Sequence, residues 1–372
     1  MKKVLVILLA FAMIFSFAAC GGDGGNGGQS GEGEGDAAPL KVGFIYIGSA
    51  QDGGFSQAQD EGRAAMVEYF GGKVETVVQE EVHDQDAQAT ETAARNMIDQ
   101  GCKVIVGTSF GYMDTLERLA EEFPDIYFLH FSGNKMNDTN FDNYFGAMEE
   151  PRYLSGIVAG MMTQSNKIGY VAAYPYTEVQ IGINAFALGV QSVNKDAEVK
   201  VVYINSWYDP ANEKAAAESL LAQGCDVLAQ HCDTLGPIIA AENAGKYAIG
   251  YNLDKQDAAP GTFLTAPIWN HEVYYIQAIQ SIMDGTFKPQ SYYGHMSDGY
   301  LDLAPLNPIV SEEAKAKVEE VKAKILDGSF APFSGKIEYA DGTTLCEEGQ
   351  TLTRAEIWSI NNVIKGVTAT DK

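Results

Sequence analysis

The stretch KVGFIYI at residues 41–47 is a short apolar run, and a stretch with the spacing of a helix follows it over residues 55–70. The alternation continues with strands predicted near 73–79, 103–106 and 126–130 and helices near 86–100 and 112–122. A run of this length fits a strand that is buried on both faces. Strands that alternate with helices imply a mostly parallel sheet covered by helices on both sides.

The alternation restarts after a helix predicted near 151–164. Strands follow near 168–172, 198–204, 226–230, 247–250 and 262–267, and helices near 178–193, 210–222, 237–244, 271–284 and 311–327. A chain of 372 residues is long enough for two domains. We therefore predict an α/β fold of two doubly wound, Rossmann-like lobes joined by a hinge. The predicted N-terminal lobe comprises residues 39–148 and 268–299, and the predicted C-terminal lobe comprises residues 149–267 and 300–366.

The first 19 residues have the pattern of an export signal, because Lys2 and Lys3 precede an apolar run over residues 4–19. That run is shorter than the roughly 20 residues that a membrane-spanning helix needs. The sequence FAAC at 17–20 resembles a bacterial lipobox, which makes Cys20 the predicted lipidation site; a plain secretory signal is the alternative. The glycine-rich residues 20–38 are predicted to be a flexible tether. We expect the protein to be held at the extracytoplasmic face of the cell membrane by this lipid alone.

The chain is strongly acidic, with 25 Lys and Arg against 50 Asp and Glu and a formal net charge of −25. This balance argues against nucleic acid as a partner, because phosphate backbones are bound by clustered basic residues. It also argues against adhesion to anionic lipid through a basic surface. The five cysteines are too few for a disulfide framework in a chain of this length.

Ligands of doubly wound sheets bind outside the carboxyl ends of the strands, so the loops that follow the strands hold the candidate site residues. These candidates are Asp52, Phe55, Ser109, Phe110, Asp114, Trp207, Asp233, Asn252, Asp254 and Trp269. Aromatic side chains on both sides of a cleft suggest a flat ligand stacked between them. The residues alone leave alternatives open: Asp52 as a helix-terminal acid, and Phe55 and Trp207 as core residues.

Metal and phosphate chemistry find little support in the sequence. The interval between Cys225 and Cys232 is no standard zinc spacing, and the chain has no H-E-x-x-H motif. The loop at 48–55 lacks the lysine and the glycine spacing of a phosphate-binding loop. We therefore expect a binding protein without a metal or a cofactor, and not an enzyme.

Several motifs occur in order along residues 40–366. They are DGGF at 52–55, DEGR at 60–63, TSFG at 108–111, RYLSG at 152–156, KIGYV at 167–171, GINAF at 182–186, WYDP at 207–210, QHCD at 230–233, WN at 269–270, DGY at 298–300 and PFSG at 332–335. In these motifs the chain resembles the basic membrane protein family of bacterial substrate-binding lipoproteins, which are solute receptors of ABC importers. The resemblance implies a type I periplasmic-binding-protein fold, a monomer, and an ABC permease as partner.

The resemblance also implies a ligand, because the family binds purines between aromatic side chains of the two lobes. By position, Phe55 and Trp207 are the stacking pair, and Asp52 and Asp114 are acids that face the ligand. Carboxylates suit a purine base because they accept hydrogen bonds from its N–H groups.

Three positions depart from the pattern of nucleoside-binding members. Asn252 stands where those members have Asp, Trp269 where they have Lys, and Gly182 where they have an aromatic residue. These departures favour a free, adenine-like nucleobase over a nucleoside. A sugar ligand, a sensor lipoprotein of the same fold and a secreted nucleoside hydrolase are the alternatives.

Overall fold

The computed structural model describes residues 38–371, so the predicted signal, most of the tether and Cys20 lie outside the described residues. The strands are β1 (Leu40–Ile45), β2 (Val74–Gln79), β3 (Val104–Gly107), β4 (Tyr127–Phe131), β5 (Phe141–Gly146), β6 (Lys167–Ala172), β7 (Glu198–Tyr203), β8 (Val227–His231), β9 (Tyr247–Ile249), β10 (Phe263–Thr265), β11 (Pro267–Trp269), β12 (Ser291–Gly294), β13 (Leu301–Leu303), β14 (Ile337–Glu338), β15 (Thr344–Cys346) and β16 (Val367–Asp371). The helices are α1 (Phe55–Phe70), α2 (Ala87–Asp99), α3 (Met113–Glu122), α4 (Glu149–Met162), α5 (Thr177–Val193), α6 (Pro210–Ala222), α7 (Gly236–Asn243), α8 (His271–Met283), α9 (Glu312–Leu326) and α10 (Arg354–Ile357).

The strands form two six-stranded sheets in which every pairing is parallel. The order in the first sheet is β12-β5-β4-β3-β1-β2, and the order in the second sheet is β10-β9-β8-β6-β7-β16. Every residue of β3 is buried, as expected for a strand that helices cover on both faces. We call each sheet with the helices that pack on it the first lobe and the second lobe. The prediction of an α/β fold with two parallel-sheet domains is confirmed.

The sequence correctly predicted most helices, among them α6, which was expected near 210–222. Asp209 caps this helix by accepting the backbone N–H of Asn212 at 2.9 Å, and Pro210 occupies its first turn. Two strands of the first sheet, β5 and β12, were not predicted, and β16 lies beyond residue 366, where the predicted C-terminal lobe ended. β16 pairs with β7 along its whole length and so extends the second sheet.

The chain passes between the lobes near residues 146–149, 267–271 and 294–301. At these passages β11 and β13 pair antiparallel, with Trp269 opposite Leu301. No helix within residues 38–371 is long and apolar enough to cross a membrane. The four cysteines in this range are all buried and unpaired.

Candidate ligand-binding site

A cavity lies between the lobes, at the carboxyl ends of the strands of both sheets. Its lining residues are Ile47, Phe55, Ser109, Phe110, Phe131, Ser132, Phe145, Glu178, Trp207, His231, Asp233 and Tyr251. Five of the ten predicted site residues are among them: Phe55, Ser109, Phe110, Trp207 and Asp233. The strand ends therefore bring together side chains that lie far apart in the sequence.

Aromatic rings form the wall that the first lobe contributes. Phe55 begins α1, and its ring centroid lies 5.3 Å from that of Phe131, which ends β4. Phe131 in turn contacts Phe145 of β5 at 5.1 Å. These rings are buried and hold one another in place, so the first lobe offers a rigid apolar surface.

The second lobe contributes Trp207, which follows β7. Its ring contacts Tyr174 at 5.4 Å in an edge-on arrangement and lies 6.3 Å from the ring of His231. The indole N–H of Trp207 is buried and has no hydrogen-bond partner within residues 38–371. Each lobe therefore supplies large aromatic surface to the cavity, and Trp207 also supplies an unused donor.

The lobes are in contact around the cavity. A Cβ on Gly54 would lie 2.0 Å from the backbone oxygen of Asp233, so only glycine allows these two loops to approach this closely. Lys255 in the second lobe donates to the side-chain oxygen of Gln57 in α1 at 3.0 Å. These contacts correspond to a closed arrangement of the two lobes.

Asp233 is the most deeply buried carboxyl group of the cavity, with 4% of its surface exposed. Its carboxylate accepts no hydrogen bond from any described residue. Burial raises the pKa of Asp233 well above its usual range, and the negative charges of Asp52 and Glu213 raise it further. A buried acceptor without a protein partner is costly in the empty protein and is available to a ligand.

Glu178 is a second carboxyl group of the cavity, and sequence reasoning missed it. It lies in the first turn of α5 and accepts a hydrogen bond from the hydroxyl of Ser132, which follows β4 in the other lobe. Burial raises the pKa of Glu178 to about 7, and the charge of Asp84 acts in the same direction. Glu178 therefore forms a hydrogen bond between the two lobes and also lines the cavity.

A fully buried arginine lies behind the cavity. Arg152 donates from Nη1 to the backbone oxygen of Gln230 at 2.7 Å, and its guanidinium carbon lies 3.8 Å from the ring centroid of Tyr251. Its Nε and Nη2 have no partner in the described part of the chain. Burial and then the charge of Arg152 hold the pKa of His231 well below its usual range, so His231 is neutral.

Three predicted acids lie outside the cavity lining. Asp52 accepts the backbone N–H groups of Gly54 and Ser56, both at 2.8 Å, so its carboxylate orders the start of α1. The side chain of Asp114 is 80% exposed and pairs with Lys135 at 2.9 Å. Asp254 is exposed and accepts the backbone N–H of Gln256 at 3.0 Å. For Asp52 the structure favours the capping role that the sequence left open.

Asn252 and Trp269 are buried and lie behind the lining. The indole N–H of Trp269 donates to Oδ1 of Asn252 at 3.1 Å, and the Trp269 ring contacts Phe131 at 5.2 Å. A Cβ on Gly182 would lie 3.1 Å from Nδ1 of His231, so a larger side chain there would press on the lining. All three departures from the nucleoside-binding pattern therefore shape this cavity from behind.

Seven lining residues were not predicted: Ile47, Phe131, Ser132, Phe145, Glu178, His231 and Tyr251. Most lie at strand ends or in loops that the sequence indicated. Phe145 could not be found this way, because it lies in β5, which the sequence did not reveal.

The run GTSFG at 107–111 has the G-x-S-x-G spacing of hydrolase nucleophile loops. The Ser109 hydroxyl donates to the carboxylate of Asp84 at 2.8 Å. Nε2 of His130 contacts the backbone oxygen of Ser109 at 2.9 Å and not its hydroxyl. Within residues 38–371 the Ser109 hydroxyl therefore contacts a carboxylate, and the serine–histidine hydrogen bond of such hydrolases is not formed. Within residues 38–371 no cluster of three or more His, Cys, Asp or Glu side chains could hold a metal ion.

Comparison with protein families identifies the chain. The model of the ABC transporter substrate-binding protein PnrA-like family, Bmp, matches residues 40–333. The chain belongs to this family. A purine-binding protein of Brucella abortus is 38% identical over 328 residues, covering 88% of this chain and 93% of the relative. A putative ABC transporter glucose-binding protein of Haloferax volcanii is 36% identical over 304 residues, covering 82% and 76%.

Among solved structures, a solute-binding protein of an ABC transporter system from Aeropyrum pernix K1 superimposes with a TM-score of 0.69 at 20% identity. The superposition covers 81% of this chain and 93% of the other. This similarity confirms the predicted type I fold of periplasmic solute-binding proteins. The Bmp-family chain is thus an extracytoplasmic solute-binding protein of an ABC transporter, a class that binds a small molecule and a permease.

Proposed function

We propose that this Bmp-family protein binds a purine nucleobase, with adenine as the leading candidate, in the cavity between its lobes and delivers it to an ABC permease. The observation that carries this proposal is the pairing of aromatic walls from both lobes with the unpartnered carboxyl of Asp233. A purine base is flat, uncharged and rich in N–H groups, so it suits both features.

Stacking and hydrogen bonding have separate tasks in this site. Phe55 and Trp207 come from different lobes, and no direct ring contact joins them within the described residues. A base between them would bury both faces, which contributes most of the affinity. The acceptor on Asp233 and the donor on Trp207 would select among flat ligands, because a ligand that left them unpaired would bind less tightly.

The choice of a base over a nucleoside rests on the wall behind the cavity. The indole N–H of Trp269 and Oδ1 of Asn252 bind each other, so neither of these two atoms is free to bind a ribose hydroxyl, and Nδ2 of Asn252, which has no partner within residues 38–371, lies behind the lining. The purine-binding relative from Brucella abortus supports a purine, and the glucose-binding relative from Haloferax volcanii makes a sugar the second candidate.

The mechanism needs no covalent step. The open lobes admit the ligand, one aromatic wall binds it, and closure buries it against the other wall. The closed form then presents a composite surface of both lobes to the permease. We infer that the protein has no catalytic activity.

Isothermal titration of the purified protein with adenine, guanine, hypoxanthine, adenosine and glucose tests the proposal. We expect adenine to bind most tightly, adenosine at least tenfold more weakly, and glucose without measurable heat. Tighter binding of adenosine would assign a nucleoside, and tighter binding of glucose would assign a sugar. Release of adenine from adenosine during long incubation would indicate a hydrolase.

We further propose that Cys20 is lipidated and holds the protein on the membrane. In bacteria that express the protein, Cys20→Ala should abolish incorporation of a labelled fatty acid and move the protein from the membrane fraction to the soluble exported fraction. Cys102→Ala is the matched control, because Cys102 is buried in the fold. Equal labelling of both variants would contradict this assignment.

A further inference from the structure

We propose that Glu178 contacts the ligand as a neutral carboxylic acid, donating its proton to a ring nitrogen of the base while Ser132 holds its other oxygen. This inference rests on the proposed function and adds a specificity-determining residue to it. It implies that ligand binding takes up a proton near neutral pH.

Within residues 38–371, one carboxyl oxygen of Glu178 has a hydrogen-bond partner and the other has none. Oε2 accepts the hydroxyl hydrogen of Ser132 across the two lobes. Oε1 has no hydrogen-bond partner among residues 38–371, and Glu178 lines the cavity. A neutral acid in this position has a carbonyl oxygen for Ser132 and one O–H for the ligand.

The surroundings of Glu178 disfavour a negative charge. Two acidic residues lie near Glu178: Asp84 in the loop before α2, and Asp233 after β8. The charge of Asp84 raises the pKa of Glu178, and the charges of Asp84 and Glu178 raise the pKa of Asp233. Tyr251 after β9 is the neutral titratable group on the facing wall. Burial is the main cause of the raised pKa of Glu178, about 7; the hydrogen bond from Ser132 lowers this pKa and the charge of Asp84 raises it.

Neither of the two basic residues beside the cavity, Arg152 and His231, neutralises a negative charge on Glu178. Arg152 forms no ion pair with a described carboxylate, and its guanidinium stacks on the ring of Tyr251. His231 lines the cavity but is neutral, because burial lowers its pKa. Protonation is therefore the remaining way to neutralise Glu178 when a ligand excludes water from the cavity.

A neutral Glu178 and Asp233 together specify the ligand. Glu178 supplies a donor, which needs an unprotonated ring nitrogen, and Asp233 supplies an acceptor oxygen, which it retains whether or not it is protonated and which needs an N–H. Purine bases carry both kinds of atom on one rigid ring. The hydroxyl groups of a sugar can both donate and accept, so a sugar differs from a purine base here in that it has no flat face that stacks over its whole area.

The test is titration of the full-length protein with adenine between pH 6 and pH 8.5, a range in which adenine stays neutral. Because the bound form is protonated, we expect constant affinity below pH 7 and a loss approaching tenfold per pH unit above it. Titrations at pH 7 in two buffers of different ionisation enthalpy should show uptake of about half a proton per adenine, since the free pKa is about 7.

Variants of Glu178 test whether this side chain causes the pH dependence of adenine binding. Glu178→Gln keeps a donor and an acceptor without charge, so it should bind adenine within about threefold of the unmodified protein at pH 6 and lose the pH dependence. Glu178→Ala should weaken binding at least tenfold at pH 6. Glu68→Gln makes the same chemical change on an exposed face of α1 and should retain the pH dependence.

Several results would overturn the assignment. Affinity that is flat or rises with pH would exclude a bound neutral acid. Equal weakening by Gln and Ala would mean that the ionised carboxylate is required. A pH dependence that persists in Glu178→Gln and vanishes in Asp233→Asn would belong to Asp233. Absence of purine binding at every pH would instead overturn the proposed function, and this assignment with it.

Discussion

Asn252 and Trp269, two of the positions that differ from nucleoside-binding members of the family, are hydrogen-bonded to each other. The indole N–H donates to Oδ1 of Asn252 at 3.1 Å, and both side chains are buried. These two departures thus form one structural unit, joined by a single hydrogen bond, while Nδ2 of Asn252 has no partner within residues 38–371. This unit lies behind the cavity lining and occupies Oδ1 of Asn252, the acceptor that stands where nucleoside-binding members have a carboxylate.

Trp269→Phe should lower the free energy of unfolding by about 1–3 kcal/mol, because it leaves Oδ1 of buried Asn252 without a donor. Asn252→Ala should have a similar effect, and the double variant should cost less than the sum by about 1 kcal/mol. Urea denaturation of the four proteins measures this coupling. Additive effects would show that the hydrogen bond does not stabilise the fold.

Trp207→Ala should weaken adenine binding at least tenfold, because one face of the stacked base would lose its aromatic partner. Trp207→Phe should recover most of the affinity, since a ring remains. Titration calorimetry measures both, and because Trp207 is buried, thermal melts of the ligand-free variants check that each is folded at the titration temperature. An unchanged dissociation constant for Trp207→Ala would remove this residue from the site.

Asp233→Asn should weaken adenine binding at least tenfold and yet stabilise the ligand-free protein above neutral pH. The pKa of Asp233 is raised in the folded state, so the stability that it contributes is present at low pH and is lost as pH rises through that raised pKa. The side-chain amide of Asn does not ionise, so the Asp233→Asn variant does not lose this stability as pH rises. Thermal melts at pH 5 and pH 8 check the stability, and Asp257→Asn is an exposed control. Lower stability of Asp233→Asn at pH 8 would contradict the expectation.

Glu149→Gln should flatten the pH dependence of stability. Glu149 is 5% exposed where β5 meets α4, and Tyr293 donates its hydroxyl to the carboxyl at 3.0 Å. Burial raises the pKa of Glu149 to about 7. The stability that this carboxyl group contributes is therefore fully present below about pH 4.5 and is lost as pH rises towards 7.

The magnitude of that loss is roughly 3 kcal/mol, from about 1.4 kcal/mol per pKa unit. Urea denaturation at pH 4.5 and pH 8 should therefore show Glu149→Gln gaining this amount relative to the unmodified protein at the higher pH. Glu121→Gln, on an exposed face of α3, should show the same free energy of unfolding as the unmodified protein at both pH values. A Glu149→Gln variant with the same pH dependence as the unmodified protein would exclude this group as the cause.

The local signals of the sequence predicted most of the elements, because they depend on neighbours in the chain. Asp209 and Pro210 set the start of α6 by capping and by a fixed backbone angle. The strand β5 was missed because Asp142 and Asn143 interrupt its apolar pattern. Asp142 is buried there only because Tyr274 donates to it at 2.9 Å and the backbone N–H of Gln290 at 2.7 Å. Those partners lie more than 130 residues away.

The sequence by itself determined the fold class, the family resemblance and the strand ends at which a ligand would bind. Periodicity, capping residues and motif order are properties of neighbouring residues, and they can be read without coordinates. Only the tertiary structure decided which of these loop residues share a cavity. Asp52 caps a helix while Glu178 meets Ser132 across the lobes, because the packing of the two sheets determines which carboxyl groups are satisfied locally and which remain for a ligand.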